Sequence, residues 1–208
     1  AAPEYALTDL GAETIPQGIT ETGIIVGTTS VTVMTSAGAW KTQHAVRGPV
    51  GALVDLGVPA GVEFASSRGL AQAGQPVVGA APFPRPPGDT PAFYAGAFVH
   101  TPQEGYQPLP DLNPAARFSE ATGVNAVETI SGWSEALHAH GVAPTAWVAR
   151  QITALPLLTT SPGTQSFDGQ AEAINTMGDI TGHARTDTND EHAVLWPGEG
   201  GVLDLDGQ

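Results

Sequence analysis

Two histidines separated by one residue, His138 and His140, are the side chains of this sequence with the clearest potential for chemistry. Residues at positions i and i+2 of an extended segment project to the same side, so both imidazoles can approach one ion. Imidazole nitrogen is a preferred ligand of Cu(II), Ni(II) and Zn(II). The pair therefore predicts half of a copper or zinc site, and the alternative is two solvent-exposed loop histidines. Copper with an open coordination position would permit redox chemistry such as superoxide dismutation.

Further ligands for such a site are available in one acidic stretch later in the chain, at His183, Asp187 and Asp190. They can join the histidine pair only if the fold places the two loops on one face. The same stretch could hold Ca²⁺, which prefers carboxylate oxygens. It lacks the complete calcium-loop pattern, so a turn that favours Asp and Asn for conformational reasons is the competing interpretation.

Aromatic residues in the connecting segments form a second group of candidates, namely Trp40, Trp133, Phe93 and Tyr94. Exposed rings stack against sugars and anchor protein partners. These four side chains therefore predict contacts with a glycan or a protein ligand. The alternative is that they close the ends of the apolar core.

Motifs and charge disfavour several classes of function. The chain has no G-x-S-x-G, P-loop or H-E-x-x-H pattern, so no catalytic residue is assigned. Seven Lys and Arg against 21 Asp and Glu give a net charge of −14, which disfavours nucleic acid because phosphate binding needs clustered cations. No apolar run approaches the roughly 18 residues of a membrane span. The opening Ala1-Ala2-Pro3 is typical of an exported protein after removal of its signal peptide.

The elements that would position these residues come from a sequence unit that recurs four times, in residues 12–57, 64–113, 118–159 and 166–206. The second predicted strand of each copy ends at a glycine, and these closing glycines are Gly27, Gly79, Gly132 and Gly182. They are spaced 52, 53 and 50 residues apart, a period typical of propellers and other repeat arrays. Residues 1–208 are therefore expected to form one repeat domain.

Each copy predicts four short strands. The fourth carries an Asp-Leu word, at Asp55-Leu56, Asp111-Leu112 and Asp204-Leu205, with residues 155–158 as its counterpart in the third copy. The word occurs once more in residues 5–11, ahead of the first complete copy. Because an extra terminal strand can close a ring, the sequence predicts an all-β, four-bladed β-propeller with antiparallel blades, closed by pairing of its terminal strands. A longer array with more blades is the alternative.

The repeated words resemble the bacterial HAF repeat family of probable extracellular repeat proteins. The resemblance rests on AEAINTMGDITG, EHAVLW and GVLDLDG in the fourth copy, and on weaker versions of G-x-I-x-G, H-A-[FV]-L-W and D-L-G in the others. It implies an exported, β-rich protein that is extracellular, on the cell surface or periplasmic. The second and third copies lack the histidine that His44 and His192 place at the start of the third strand.

Together these observations predict an exported β-propeller that acts as a binding module of the cell envelope, with a protein or glycan partner. Copper-type metal binding through His138 and His140 is the first alternative, and a carbohydrate-binding lectin is the second. His44 and His192 occupy one repeat position, which predicts a structural role in which each ring bonds a neighbouring backbone group.

Overall fold

The computed structural model describes residues 8–11, 13–35, 38–84, 93–136, 141–158 and 168–207. Within these ranges every regular element is a β-strand, and the strands form four antiparallel sheets of four strands each. The prediction of an all-β fold with antiparallel sheets is therefore confirmed. In every sheet the strands follow one another in chain order, so the first and fourth strands are the two edges.

The strands of each sheet come from one stretch of the chain. Sheet 1 contains β1 (Thr14–Ile19), β2 (Ile24–Thr35), β3 (Gly38–Pro49) and β4 (Val54–Asp55). Sheet 2 contains β5 (Ser66–Leu70), β6 (Val77–Pro84), β7 (Phe93–Thr101) and β8 (Gly105–Pro108). Sheet 3 contains β9 (Ser119–Val124), β10 (Ile130–Glu135), β11 (Val142–Val148) and β12 (Gln151–Ala154). Sheet 4 contains β13 (Gly169–Ile174), β14 (Ile180–Arg185), β15 (Glu191–Trp196) and β16 (Leu203–Asp204).

Two of the predicted fourth strands are wrong in position. The sequence predicts them at Asp111-Leu112 and residues 155–158, whereas β8 ends at Pro108 and β12 at Ala154. The reason is the register of a leucine that follows the strand. The backbone N–H of Leu109 donates to the carbonyl of Ala97, and the backbone N–H of Leu155 donates to the carbonyl of Pro144. The same bonds join Leu56 to Ala45 and Leu205 to Ala193, so the leucine, and not the aspartate, marks the equivalent position.

Apolar side chains fill the spaces between consecutive sheets. One buried cluster lies between sheets 1 and 2, one between sheets 2 and 3, and one between sheets 3 and 4. The largest side chain in each is Phe98, Trp147 and Trp196 respectively, and all three are almost completely buried. Each sheet is therefore held to the next mainly by burial of apolar surface.

A hydrogen bond from an aromatic side chain to a backbone carbonyl recurs at each of these three junctions. Trp147 Nε1 donates to the carbonyl of Pro110 at 2.8 Å, and Trp196 Nε1 donates to that of Pro156 at 2.7 Å. Between sheets 2 and 1 the donor is the hydroxyl of Tyr106, which lies 2.9 Å from the carbonyl of Gly57. Burial raises the pKa of Tyr106, so the hydroxyl keeps its proton and remains a donor. Each accepting carbonyl lies two residues beyond the matching end of the preceding sheet's fourth strand.

A histidine–aspartate pair ties the last two strands together in sheets 1 and 4. His44 Nδ1 lies 2.9 Å from Asp55 Oδ2, and His192 Nδ1 lies 2.9 Å from Asp204 Oδ2. The prediction that each ring bonds a backbone group is therefore wrong, because the partner of each ring is an aspartate carboxylate. At the same register positions sheet 2 has Gly96 and Pro108, and sheet 3 has Ala143 and Ala154. The pair is thus present where the fourth strand has two residues and missing where it has four.

The His192–Asp204 pair is expected to make stability depend on pH. The hydrogen bond to Asp204 raises the pKa of His192 above 6.5, and the same bond lowers the pKa of Asp204 below 3.8. The stability that His192 contributes is complete below the pKa of a histidine in the unfolded chain, and it is lost as the pH rises through the raised pKa of His192 in the folded protein. The stability that Asp204 contributes is complete above the pKa of an aspartate in the unfolded chain, and it is lost as the pH falls through the lowered pKa of Asp204 in the folded protein. The pair therefore stabilises most between about pH 4 and 6.5.

Urea unfolding of the wild type and of Asp204→Asn at pH 5.5 and pH 9 checks this expectation. The difference in midpoint between the two proteins should be larger at pH 5.5. Asp9→Asn is the matched control, because Asp9 Oδ1 accepts the N–H of Gly11 just as Asp204 Oδ1 accepts the N–H of Asp206, two residues later in each case. A midpoint difference that is equal at the two pH values would contradict the role assigned to the pair.

The face of sheet 4 that points away from sheet 3 is exposed, unlike the corresponding face of sheet 2. Its residues Thr181 and Ala193 are exposed, whereas the matching residues of sheet 2, Val78 and Ala97, are fully buried against sheet 3. Leu205 is 48% exposed and the matching Leu109 is 2% exposed. This face of sheet 4 is therefore open to solvent.

The predicted closing strand, residues 5–11, is described only from residue 8 onward. Residues 8–11 form no strand, and all four strands of sheet 4 come from residues 169–204. Residues 5–7 lie outside the described part of the chain. Closure by pairing of terminal strands therefore stays a prediction.

Candidate functional site: a pocket formed by the first strands

A β-bulge interrupts the first strand of every sheet at the same register position. The extra residues, which have no partner in the second strand, are Gln17, Arg68, Thr122 and Glu172. A bulge bends its strand and changes the direction of a side chain, and bulges are frequent next to functional sites. Four polar side chains are therefore presented in the same way, one from each sheet.

The closing glycines of the repeats are explained by these bulges. Each lies opposite the bulge, on the second strand. A Cβ atom placed on Gly27, Gly79, Gly132 or Gly182 would lie nearer than 3.0 Å to a carbonyl oxygen of the bulged strand. These oxygens belong to Ile15, Ser66, Glu120 and Gln170. Only glycine permits that approach, so the most regular feature of the repeats exists to accommodate the bulge.

The first strands of consecutive sheets also approach one another closely. A Cβ atom on Gly69 in β5 would lie 2.7 Å from the carbonyl oxygen of Thr122 in β9. The hydroxyl of Thr122 in turn donates to the carbonyl of Ala171 in β13, at 2.7 Å. The backbones of β5, β9 and β13 are therefore adjacent at the level of the bulges.

All four bulge residues line one polar cavity of about 260 Å³, here called the bulge pocket. Its walls are formed by Gln17, Arg68, Glu120, Thr122, Trp133, Gln170 and Glu172. A cavity in which a few polar groups converge beside an aromatic ring is typical of a site for a small ligand.

One ion pair lies within the pocket, and the second carboxylate of its lining has a histidine neighbour outside it. Arg68 Nε lies 2.7 Å from Glu120 Oε1, and Arg68 Nη1 donates to Gln17 Oε1 at 3.4 Å. The second carboxylate, Glu172 Oε1, lies 3.8 Å from His183 Nδ1. Arg68 is the one Lys or Arg side chain among the lining residues, which also include the two carboxylates of Glu120 and Glu172. The pocket is therefore polar, with a small excess of negative charge.

A second cavity, of about 300 Å³, lies at the other end of the same strands. Each first strand contributes the apolar residue next to its turn, and these residues are Ile19, Leu70, Val124 and Ile174. Polar residues of the turns, including Glu21, Gln72 and Asn175, complete the lining. Both cavities thus contain residues from all four sheets, and they differ in that the bulge pocket is polar and the second cavity is partly apolar.

The candidates from the sequence are distributed over several places. Trp133 lines the bulge pocket and is partly buried. Trp40 lies on β3 and is absent from its walls. Tyr94 lies on β7 with its ring 6.1 Å from that of Phe83. Phe93 is the first residue of β7, and its side chain lies outside the described part. Of the three aromatic candidates whose side chains the structure describes, it brings Trp133 to the pocket.

The candidates for metal binding are not assembled in the described part of the chain. His138 and His140 lie in residues 137–140, outside it. His183 lies beside Glu172 but does not line the bulge pocket, whereas Asp190 lies in a turn where its Oδ2 accepts the hydroxyl of Thr188 at 2.7 Å. Asp187 belongs to the same turn, which contains a left-handed Asn189. No group of three His, Asp or Glu suited to a metal ion occurs among the described residues. The copper, zinc and calcium sites stay predictions.

Most residues of the bulge pocket were missed by sequence reasoning. The sequence feature that could have identified them is the number of residues that separate each one from the closing glycine of its repeat. Gln17, Thr122 and Glu172 each precede it by ten residues and Arg68 by eleven, and all four are polar. Strand alternation alone does not identify them, because a bulge shifts the alternation by one residue.

Comparisons with known proteins leave the chain without an assigned family. No family model matches it, and no significant match was found among curated proteins or solved structures. No helix of the described residues has the length and apolar character needed to cross a membrane. The resemblance to HAF repeats therefore continues to rest on the repeated motifs alone.

Proposed function

We propose that the four sheets are the blades of a four-bladed β-propeller, arranged radially about β1, β5, β9 and β13. The support is that these four strands line both cavities and that consecutive sheets pack face to face. In this arrangement the seam between the fourth and first blades is open to solvent, in keeping with the exposure of Thr181 and Ala193.

Small-angle X-ray scattering tests this arrangement. A compact chain of 208 residues has a radius of gyration of about 17 Å. We expect the protein to give this value, because sheets around an axis make a short disc. A row of four sheets stacked in one direction would be elongated, so a clearly larger radius would rule out the radial arrangement.

We further propose that the protein is an exported binding module of the cell envelope, at the cell surface, outside the cell or in the periplasm. The resemblance to HAF repeats supports export. The observation that carries the binding function is the bulge pocket, into which every sheet sends the extra residue of its bulge. Four repeats of a purely structural unit would have no need to present four different polar side chains at one place.

Ligand-observed NMR with a library of sugars, amines and organic acids tests the binding function. At least one class is expected to show saturation transfer with the wild type. Gln17→Tyr fills the pocket from an exposed position on β1 and should abolish the signal. Gln43→Tyr is the matched control, because Gln43 is an exposed glutamine on β3 of the same sheet. A library without any binder, or equal binding by Gln17→Tyr, would rule out the pocket as the site.

A further inference from the structure

We propose that the ligand of the bulge pocket is an uncharged sugar residue that stacks on Trp133 and bonds through its hydroxyl groups to Gln17, Gln170 and Glu172. This inference rests on the proposed function, because it names the class of ligand for that site. It follows from three properties of the walls, namely their hydrogen-bonding groups, their charge and the position of the one indole ring.

The hydrogen-bonding groups of the pocket suit hydroxyl groups. Gln17 and Gln170 each carry a carbonyl oxygen that accepts and an amide nitrogen that donates. A sugar hydroxyl also donates and accepts, so it can satisfy either end of an amide. Glu172 offers two acceptor oxygens, which match a pair of neighbouring hydroxyl groups. The hydroxyl of Thr122 is already engaged with Ala171, so it serves mainly to position the wall.

The charge of the pocket disfavours an anionic ligand. The guanidinium of Arg68 bonds Glu120 at 2.7 Å and Gln17 at 3.4 Å, so the Glu120 carboxylate already offsets its positive charge. Glu172 would repel an anion, and the chain as a whole carries a charge of −14. A phosphate, sulfate or carboxylate ligand therefore loses more than it gains at this site.

The aromatic lining of the pocket favours a sugar over an alkylated ammonium ligand. Cages for alkylated ammonium groups surround the cation with several rings, because the attraction to each ring is modest. Among the described residues that line the bulge pocket, Trp133 is the one with an aromatic ring, and the others are polar. We propose that the C–H face of a pyranose packs against this ring, while the polar walls bond the hydroxyl groups. A cavity of about 260 Å³ suits one sugar residue.

Tryptophan fluorescence and calorimetry with defined probes test the proposal. The neutral probes are the methyl glycosides of glucose, galactose, mannose and N-acetylglucosamine, and the charged probes are choline, spermidine and citrate. We expect saturable binding of at least one neutral glycoside, with a dissociation constant on the order of 1 mM. Trp133→Leu should weaken it at least about tenfold. Trp40→Leu is the matched control and should leave it unchanged, because Trp40 lies on β3 and does not line the pocket.

Gln17→Leu provides a second test in case Trp133→Leu does not fold, since Gln17 is exposed and its replacement leaves the core intact. It should also weaken glycoside binding. Glycoside binding that survives both substitutions would place the sugar elsewhere and overturn the proposal. Binding of choline, spermidine or citrate alone, lost in Gln17→Tyr, would overturn the sugar assignment but leave the bulge pocket as the binding site. Failure of every probe, together with an unproductive library, would overturn both.

Discussion

Replacing Gly79 by alanine is expected to lower the free energy of unfolding by about 3 kcal/mol. The added Cβ would lie nearer than 3.0 Å to the carbonyl oxygen of Ser66, which belongs to the bulged strand of the same sheet. The two strands would have to separate, and Val78 and Phe98 beside them are completely buried. Chemical denaturation followed by circular dichroism measures the loss.

Gly61→Ala is the control for this substitution. Gly61 has a φ of 79°, and a Cβ placed on it would meet nothing within 4 Å. Its replacement costs only the conformational strain of a left-handed residue, roughly 1–2 kcal/mol. If Gly79→Ala were no more destabilising than Gly61→Ala, the contact between the closing glycine and the bulge would not constrain the fold.

Replacing Trp147 by alanine is expected to destabilise the protein by about 3–5 kcal/mol. The side chain is completely buried between sheets 2 and 3, where it packs with Leu109 and Ile130. Its removal leaves a cavity and deprives the carbonyl of Pro110 of an indole donor. Urea unfolding monitored by circular dichroism gives the change without depending on the fluorescence of the missing ring.

Two further variants separate packing from hydrogen bonding at Trp147. Trp147→Phe keeps an aromatic ring but removes the donor, so it should cost less than alanine yet still about 1–3 kcal/mol. Trp40→Ala, on β3 and only partly buried, should change stability by less than about 1 kcal/mol. A loss in Trp147→Ala no larger than that of Trp40→Ala would contradict the assigned junction between the sheets.

The closing glycines and the bulge pocket depend on one another. Because Gly132 has no Cβ, the bulge of β9 can lie against β10, and this bulge presents Thr122 to the pocket. The neighbouring residue on β10 is Trp133, which lines the same pocket. A substitution at a closing glycine should therefore impair the proposed ligand binding as well as stability, whereas Trp147 affects stability from a site outside the pocket.

Sequence reasoning was sufficient for the class of fold and for most strands. The second and third strands follow runs of apolar residues that pack between sheets, and such runs are visible in the sequence. The fourth strands of sheets 2 and 3 were misplaced because a short edge strand has little alternation of its own. Its position is determined by the bonds of Leu109 and Leu155 to the third strand, which are tertiary contacts.

The amino-acid sequence by itself determined that the chain is all-β, because its branched and small apolar residues recur in short runs separated by turn residues. It also marked the closing glycines, although without their reason. Only the tertiary structure decided which polar residues meet. A bulge changes the direction of one side chain, and Gln17, Arg68, Thr122 and Glu172 come from strands about fifty residues apart that become neighbours only when the sheets pack.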